Sequence, residues 1–155
     1  MDLKFKVSGR IAKPVAEVFE AVANPTELSR YFTTGGAKGR LETGATVMWD
    51  FHDFPGAFPV EVAEVVKNEK IVLRWAADDG DPVPGQSAGY QTTVTMTFEA
   101  LDDGRTLVSI SEEGWRETPT GLKASYNNCG GWMQMLCAMK AYLDHGINLR
   151  EGMFK

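Results

Sequence analysis

The chain opens with alternating apolar and polar residues and then changes to helical spacing. Residues 3–8 alternate with a period of two, which predicts a half-buried strand. Apolar residues in 15–22 then recur at i, i+3, i+4 and i+7, the stripe of an amphipathic helix, and Pro14 suits its first turn. A second short helix is predicted after Asn24 as its N-cap, with an apolar side made by Leu28, Tyr31 and Phe32.

Strand patterns dominate the middle of the chain, from residue 35 to residue 113. Asp102-Asp103-Gly104 is a strong hairpin turn between two of them, and the other connections are also short. Such connections imply mostly antiparallel neighbours. With the first strand, the pattern predicts about seven strands, the later ones over 37–41, 45–52, 58–66, 70–76, 90–100 and 105–113. Residues 77–89 are rich in aspartate, proline and glycine and are predicted to form a solvated loop.

The last third returns to a helical pattern. Its apolar stripe is formed by Trp132, Leu136, Met139 and Leu143. A helix from Pro119 to Asp144, followed by the C-terminal signal His145-Gly146, would be about 39 Å long, enough to cross a whole sheet. The pair Gly130-Gly131 interrupts this pattern at a cost of about 1 kcal/mol per glycine. We expect compensation by a close approach of the sheet, a kink, or room for a ligand; alternatively, the regular helix begins only near Gly131.

This order of elements predicts an α+β fold in a single domain over residues 1–155. A curved antiparallel sheet of about seven strands would wrap around the long C-terminal helix, because that helix is the only predicted element large enough to cover the apolar face. The two short helices after the first strand would close one end. Where side chains do not fill the wedge between sheet and helix, an apolar ligand can bind.

Residues 5–32 resemble the opening of the START-related, Bet-v-1-like helix-grip superfamily (SRPBCC), and most closely its activator of heat-shock-protein-90 ATPase homologue branch. The motifs that carry this resemblance span essentially the whole chain. They are Lys13-Pro14, Val18-Phe19, Pro25 to Leu28, Tyr31-Phe32, Gly114-Trp115 and Gly131-Trp132. The pair Gly130-Gly131 departs from the single glycine of the family. The resemblance implies the helix-grip fold, in a superfamily that includes lipid carriers, polyketide cyclases, hormone receptors and co-chaperone domains.

Composition and net charge limit the classes of molecule that the protein is expected to bind. Apolar residues make up 43% and charged residues 24% of the 155 residues, a globular composition. Sixteen basic against twenty-one acidic residues give a net charge of −5, which disfavours nucleic acid. No signal-peptide or membrane-span pattern is found. Cys129 and Cys137 are about 12 Å apart on a helix, too far for a disulfide, so free thiols and a cytoplasmic location are expected.

Glu112 is the carboxylate most indicative of chemistry. Because Val108 and Ile110 are predicted to point inward, the period of two places Glu112 inward as well. An inward carboxylate could bind the polar end of a ligand or act as a general acid or base; if the strand frays there, Glu112 is simply solvated. Asn128, one helical turn before Trp132, would face the same wedge.

Aromatic side chains on the predicted inner strand faces offer a flat wall for a ring or an acyl chain, or else form ordinary core. The predicted ligand-binding residues are Trp49, Phe51, Trp75, Tyr90, Thr92, Glu112, Asn128, Trp132 and Met135. No metal site or cofactor is predicted, because His52 and His145 lack ligand spacing and no phosphate-binding or nucleophile motif occurs.

Three functions follow as hypotheses. The first is a protein that binds a hydrophobic small molecule between the sheet and the last helix. The second is an enzyme that resembles polyketide cyclases or dehydratases, with Glu112 as its acid or base. The third, implied by the family resemblance, is a domain that binds a chaperone and activates its ATPase, although the additional N-terminal domain of such co-chaperones is missing here. A homodimer is also compatible with the methionines that flank the last helix.

Overall fold

In a computed structural model, residues 2–77 and 89–155 are described. Most of the predicted 77–89 loop therefore lies outside the described residues. The elements in chain order are β1 (Lys4–Ile11), α1 (Val15–Ala23), α2 (Pro25–Leu28), β2 (Gly36–Lys38), β3 (Thr46–Phe51), β4 (Phe54–Val66), β5 (Lys70–Ala76), β6 (Gln91–Ala100), β7 (Thr106–Glu113) and α3 (Pro119–His145). The predicted strands are all present, and the largest difference is that β4 begins at Phe54 and not at Phe58.

The strands form one antiparallel sheet in the order β1-β7-β6-β5-β4-β3-β2. After β1 the chain crosses by way of α1 and α2 to the opposite edge, and then returns strand by strand until β7 pairs with β1. The register shifts between Trp49 and Phe51 and again between Val62 and Glu64. Such irregularities bend strands and increase their twist, which helps the sheet to curve. The α+β helix-grip prediction is confirmed.

Helix α3 runs beside the concave face of this sheet and supplies much of the core. At its C-terminal end, Asp144 accepts a hydrogen bond from the backbone N–H of Ala12, and Lys140 donates to the carbonyl of Arg10. These bonds fix the end of the helix to the end of β1. Its buried side chains include Trp132, Met135, Leu136, Ala138 and Met139. Met135 and Met139 are fully buried in the core, whereas Met133 on the same helix is 42% exposed.

The two short helices close one end of the grip, as predicted. Asn24 is the N-cap of α2, since its side chain accepts from the backbone N–H of Thr26. Pro14, expected inside the first turn of α1, instead precedes it as the N-cap. Tyr31 stacks on Tyr142 of α3 with ring centroids 5.5 Å apart. Its hydroxyl donates to a backbone carbonyl of α1, and burial raises the pKa of the Tyr31 phenol well above its usual value.

The surroundings of the glycines in α3 differ from those expected from the sequence. The helix is continuous through Gly130 and Gly131, and a Cβ at either position would have no atom within 4 Å. The expected close approach of the sheet at this pair is therefore wrong. Close approach occurs instead at Gly121 in the first turn, where a Cβ would collide with the carbonyl oxygen of Arg116. Cys129 and Cys137 are both free thiols, as predicted.

The segment after α3 folds back onto the protein. Gly146 ends the helix in the left-handed region at φ +69°, in agreement with the His145-Gly146 signal. Arg150 is then buried, with its Nε 3.0 Å from Asp53 Oδ2 and its Nη1 donating to Gln134 at 3.0 Å. The guanidinium also lies 4.7 Å from the centre of the Phe51 ring. This ion pair fastens the C-terminal segment between the β3–β4 connection and α3.

Candidate functional site

Glu112 lies near the end of β7, on the face of the sheet that α3 covers. Its Cα is registered with Val94 on β6 and with Phe5 on β1. The side chain is 1% exposed, so the predicted inward orientation is confirmed. A buried carboxylate is costly unless hydrogen bonds replace the lost water, which makes its surroundings informative.

Four neutral side chains donate hydrogen bonds to this carboxylate. Oε2 accepts from Trp75 Nε1 at 2.8 Å and from Thr92 Oγ1 at 2.6 Å. Oε1 accepts from Trp132 Nε1 at 2.8 Å. Asn128 Nδ2 spans both oxygens at 3.1 and 3.2 Å. The donors come from β5, β6 and α3, so the carboxylate joins three elements at one point.

The carboxylate acts within this cluster as a positioning group. A carboxylate has about four lone-pair sites, and these donors occupy them. The shared acceptor also fixes the two indole rings, which stack with centroids 5.3 Å apart and an interplanar angle of 29°. Trp75 and Trp132 are therefore held in one arrangement by Glu112, and the carboxylate lies behind them.

An open cleft of about 440 Å³ lies on the outer side of this cluster. Among the described residues it is lined by Phe58, Pro59, Trp75, Ala76, Ala77 and Asn128. Phe58 and Trp75 form its aromatic wall, with ring centroids 5.9 Å apart and an interplanar angle of 57°. Volumes of 300–1,000 Å³ with mostly apolar walls and a few polar groups are typical of small-molecule sites.

The structure separates the predicted ligand-binding residues into three groups. Trp75 and Asn128 line the cleft itself. Thr92, Glu112 and Trp132 are buried behind this wall. The remaining four lie elsewhere. Trp49 and Met135 are in the core, Phe51 stacks on Phe58, and Tyr90 immediately precedes β6.

Tyr90 belongs to a different set of contacts. Its hydroxyl accepts a hydrogen bond from the backbone N–H of Arg116 at 3.0 Å. The guanidinium of Arg116 also lies over the Tyr90 ring, 4.3 Å from its centre. Tyr90 therefore ties the start of β6 to the segment that leads into α3.

Four cleft-lining residues were not predicted, namely Phe58, Pro59, Ala76 and Ala77. They lie on β4 and at the end of β5, and the cleft brings them next to Asn128 of α3. A strand pattern shows which face a residue occupies and does not show how far the helix reaches. Phe58 did carry a signal, because it opens the predicted 58–66 strand as an aromatic residue.

No cluster of three or more histidine, cysteine, aspartate or glutamate side chains that could hold a metal occurs within residues 2–77 and 89–155. In the same part of the chain, no helix is both long enough and apolar enough to cross a membrane.

A model of the family "Activator of Hsp90 ATPase homolog 1-like protein" matches residues 12–144. The chain belongs to this family. The match includes the carboxylate cluster and every described cleft-lining residue. No curated protein matches the sequence.

Three solved structures share the fold over 92–97% of the chain. The protein SSP2350 from Staphylococcus saprophyticus is 24% identical, with a TM-score of 0.75, and the match covers 97% of this chain and 96% of that one. The Aha1 dimer from Colwellia psychrerythraea is 19% identical with a TM-score of 0.72, over 92% and 97%. DynU16, a protein of the dynemicin biosynthetic locus, is 23% identical with a TM-score of 0.76, over 96% of this chain and 49% of that one.

Proposed function

We propose that this member of the family binds a small apolar or aromatic molecule in the cleft beside Trp75. The observation that carries the proposal is the pairing of an open, mostly apolar cleft with a wall that is already rigid. Glu112 fixes the Trp75 indole from behind through the 2.8 Å hydrogen bond, so little side-chain freedom remains to be lost on binding.

The size of the cleft sets the expected ligand and affinity. A volume of about 440 Å³ accommodates a compound of two or three fused rings and leaves room for water molecules. Burial of about 200 Å² of apolar surface would contribute about 5 kcal/mol, and stacking on Trp75 about 1 kcal/mol more. After the cost of association, dissociation constants between about 10 μM and 1 mM are expected.

Ligand binding is tested first without choosing a ligand. The purified protein is examined by native mass spectrometry for a bound species, and a panel of lipids and aromatic compounds is screened by thermal shift. The proposal predicts a bound species or a stabilising aromatic compound. The absence of both would contradict it.

A pair of variants on β4 then locates the binding site. Phe58→Ala removes one wall of the cleft and should weaken binding of any hit at least fivefold, in line with the loss of an aromatic contact. Phe54→Ala removes a phenyl ring from the same strand that is 56% exposed and faces Phe154, so binding should not change. Equal affinities of both variants would place the ligand elsewhere.

A cyclase-like or dehydratase-like enzyme is the second candidate, because a buried carboxylate lies behind the cleft wall, 2.8 Å from the indole nitrogen of the lining residue Trp75. For Glu112 to transfer a proton, one of its four donors would first have to give up its hydrogen bond. Glu112→Gln should then abolish turnover of a candidate substrate without loss of affinity. Unchanged turnover would exclude this mechanism.

Chaperone activation, the activity in the family name, stays a prediction from family membership. A pull-down with the Hsp90 protein of the same cell, followed by an ATPase assay, tests it. The Colwellia psychrerythraea relative is a dimer in solution, and light scattering would test the same state here.

A further inference from the structure

We infer that Pro59 keeps the cleft open, because it stops the hydrogen bonding between β4 and β5 at the place where the cleft begins. Pro59 would then determine which ligands enter, since a ligand has to occupy the gap between these two strands. The inference rests on the proposed function and adds the residue that sets the shape of the site.

Pro59 occupies an unusual position for a proline. It lies on β4, which is an interior strand with β5 on one side and β3 on the other. Proline has no backbone N–H, so within sheets it is normally confined to edge strands, strand starts and bulges. Pro59 is not at a strand start, and it pairs in register with Met48 of β3. The missing N–H therefore has to be accounted for on the side of β5.

The backbone of Pro59 faces β5. Val62 donates its N–H to the carbonyl of Ala45, and its own carbonyl accepts from the N–H of Gly44, both at 2.8 Å on the side of β3. Alternate residues of a strand direct their backbone groups to the same neighbouring strand. Val62 and Val60 thus face β3, whereas Pro59 faces β5. Toward β3 the proline costs no hydrogen bond, and toward β5 it removes a donor.

Ala76 faces Pro59 from the opposite strand. The N–H of Ala77 donates to the carbonyl of Tyr90 at 2.8 Å, so Ala77 faces β6 and Ala76 faces β4. The register of the two strands makes Pro59 and Ala76 the next two residues that would exchange hydrogen bonds. Pro59 has no N–H to donate to the Ala76 carbonyl, so the exchange cannot be completed.

The cleft coincides with this missing bond. Pairing between β4 and β5 ends at Glu61 and Arg74, although β4 begins at Phe54 and β5 continues to Ala76. The lining residues from both strands all lie beyond that last pair; they are Phe58, Pro59, Trp75, Ala76 and Ala77. A hydrogen bond from position 59 to Ala76 would hold the strands at the ladder spacing of about 4.8 Å, which leaves no gap for a ligand.

Restoring the missing N–H tests the inference. Pro59→Val supplies the donor together with a side chain that is favoured in strands. Nuclear magnetic resonance then follows hydrogen exchange of the new backbone amide at position 59. We expect this amide to exchange at least about fivefold more slowly than an unprotected amide, the effect of one net hydrogen bond.

Binding of 2-naphthol, measured by calorimetry, is the second readout. Because the ligand would have to break the restored bond, its affinity for Pro59→Val should fall by about fivefold or more relative to the wild type. Pro55→Val is the matched control, since Pro55 lies on the same strand and is not among the described cleft-lining residues. Its affinity should stay within about twofold of the wild-type value. If Pro59→Val does not fold, Pro59→Ala supplies the same N–H and is measured in the same way.

The outcomes separate the inference from the function on which it rests. Exchange of the amide at position 59 at the unprotected rate would overturn the inference, even if binding weakens, because the loss would then come from the changed side chain. A protected amide with unchanged affinity for 2-naphthol would also overturn it. If the wild type does not bind 2-naphthol, the proposed function fails for this probe, and the exchange result alone decides whether Pro59 keeps the two strands apart.

Discussion

Replacement of Glu112 by glutamine tests whether one carboxylate holds the sheet, the helix and the cleft wall together. The substitution preserves the shape of the side chain and removes its charge. It also replaces one acceptor oxygen with an amino group. Because each oxygen of Glu112 faces at least one indole N–H, either orientation of the new amide places two donors against each other.

The less costly orientation puts the amino group at the Oε1 position. Trp132 Nε1 then has no acceptor, at a cost of about 1–3 kcal/mol for a buried donor. The bonds from Trp75 and Thr92 persist, but as neutral bonds of roughly half the strength. Removing a buried charge recovers part of this loss. We expect a net decrease of about 2–4 kcal/mol in the free energy of unfolding.

Urea denaturation followed by far-ultraviolet circular dichroism measures this change. Glu113→Gln is the matched control, since Glu113 is the next residue on β7 and is exposed; its effect should lie within about 0.5 kcal/mol. A melting temperature lowered by about 5–15 °C should accompany the Glu112 change.

A double-mutant cycle with Trp75→Phe examines the cause. If the 2.8 Å bond between Trp75 and Glu112 matters, the Trp75 substitution should cost at least 0.5 kcal/mol less in the Glu112→Gln background than in the wild type. A loss below about 1 kcal/mol for Glu112→Gln, or strict additivity in the cycle, would refute the reasoning.

Three further predictions concern the rest of the fold. Arg150→Met leaves the Asp53 carboxylate buried without its cation and should cost about 3–5 kcal/mol in urea denaturation; a loss below 1 kcal/mol would show that the C-terminal segment is not anchored there. Gly131→Ala should raise stability by up to about 1 kcal/mol, since its Cβ meets no atom, whereas Gly121→Ala should lower it; thermal melts that move in the same direction would contradict this pair. The raised pKa of Tyr31 means that its contribution to stability is complete below the unfolded pKa near 10 and is lost as the pH rises through the folded-state value. Tyr31→Phe should therefore lose less stability than the wild type between pH 8 and pH 11, and parallel losses would count against the buried phenol as the cause.

Much of the fold could be predicted from periodicity. The alternation in 90–100 placed Thr92, Val94, Met96 and Phe98 on one face, and all four are buried. The N-cap Asn24 was likewise predicted from local chemistry. These features depend on neighbours a few residues apart, which is the distance over which a sequence pattern is informative.

The site was only partly predictable. The period of two placed Glu112 inward, but its four donors come from three elements, and their meeting depends on strand register and on the rotation of α3 about its axis. A single sequence contains no direct record of either quantity. The same is true of the cleft, which is formed where Phe58 of β4, Ala76 of β5 and Asn128 of α3 meet.

The stacked pair Trp75–Trp132 gives the protein a built-in optical signal. Two indoles only 5.3 Å apart at a fixed 29° couple their electronic transitions, which should give a two-signed band in the near-ultraviolet dichroism spectrum. Trp75 belongs to the sheet and Trp132 to the helix, so the band reports whether the helix is still packed on the sheet in the native arrangement. Partial separation of α3 from the sheet would therefore change this band before the backbone unfolds, and no attached dye is needed to detect it.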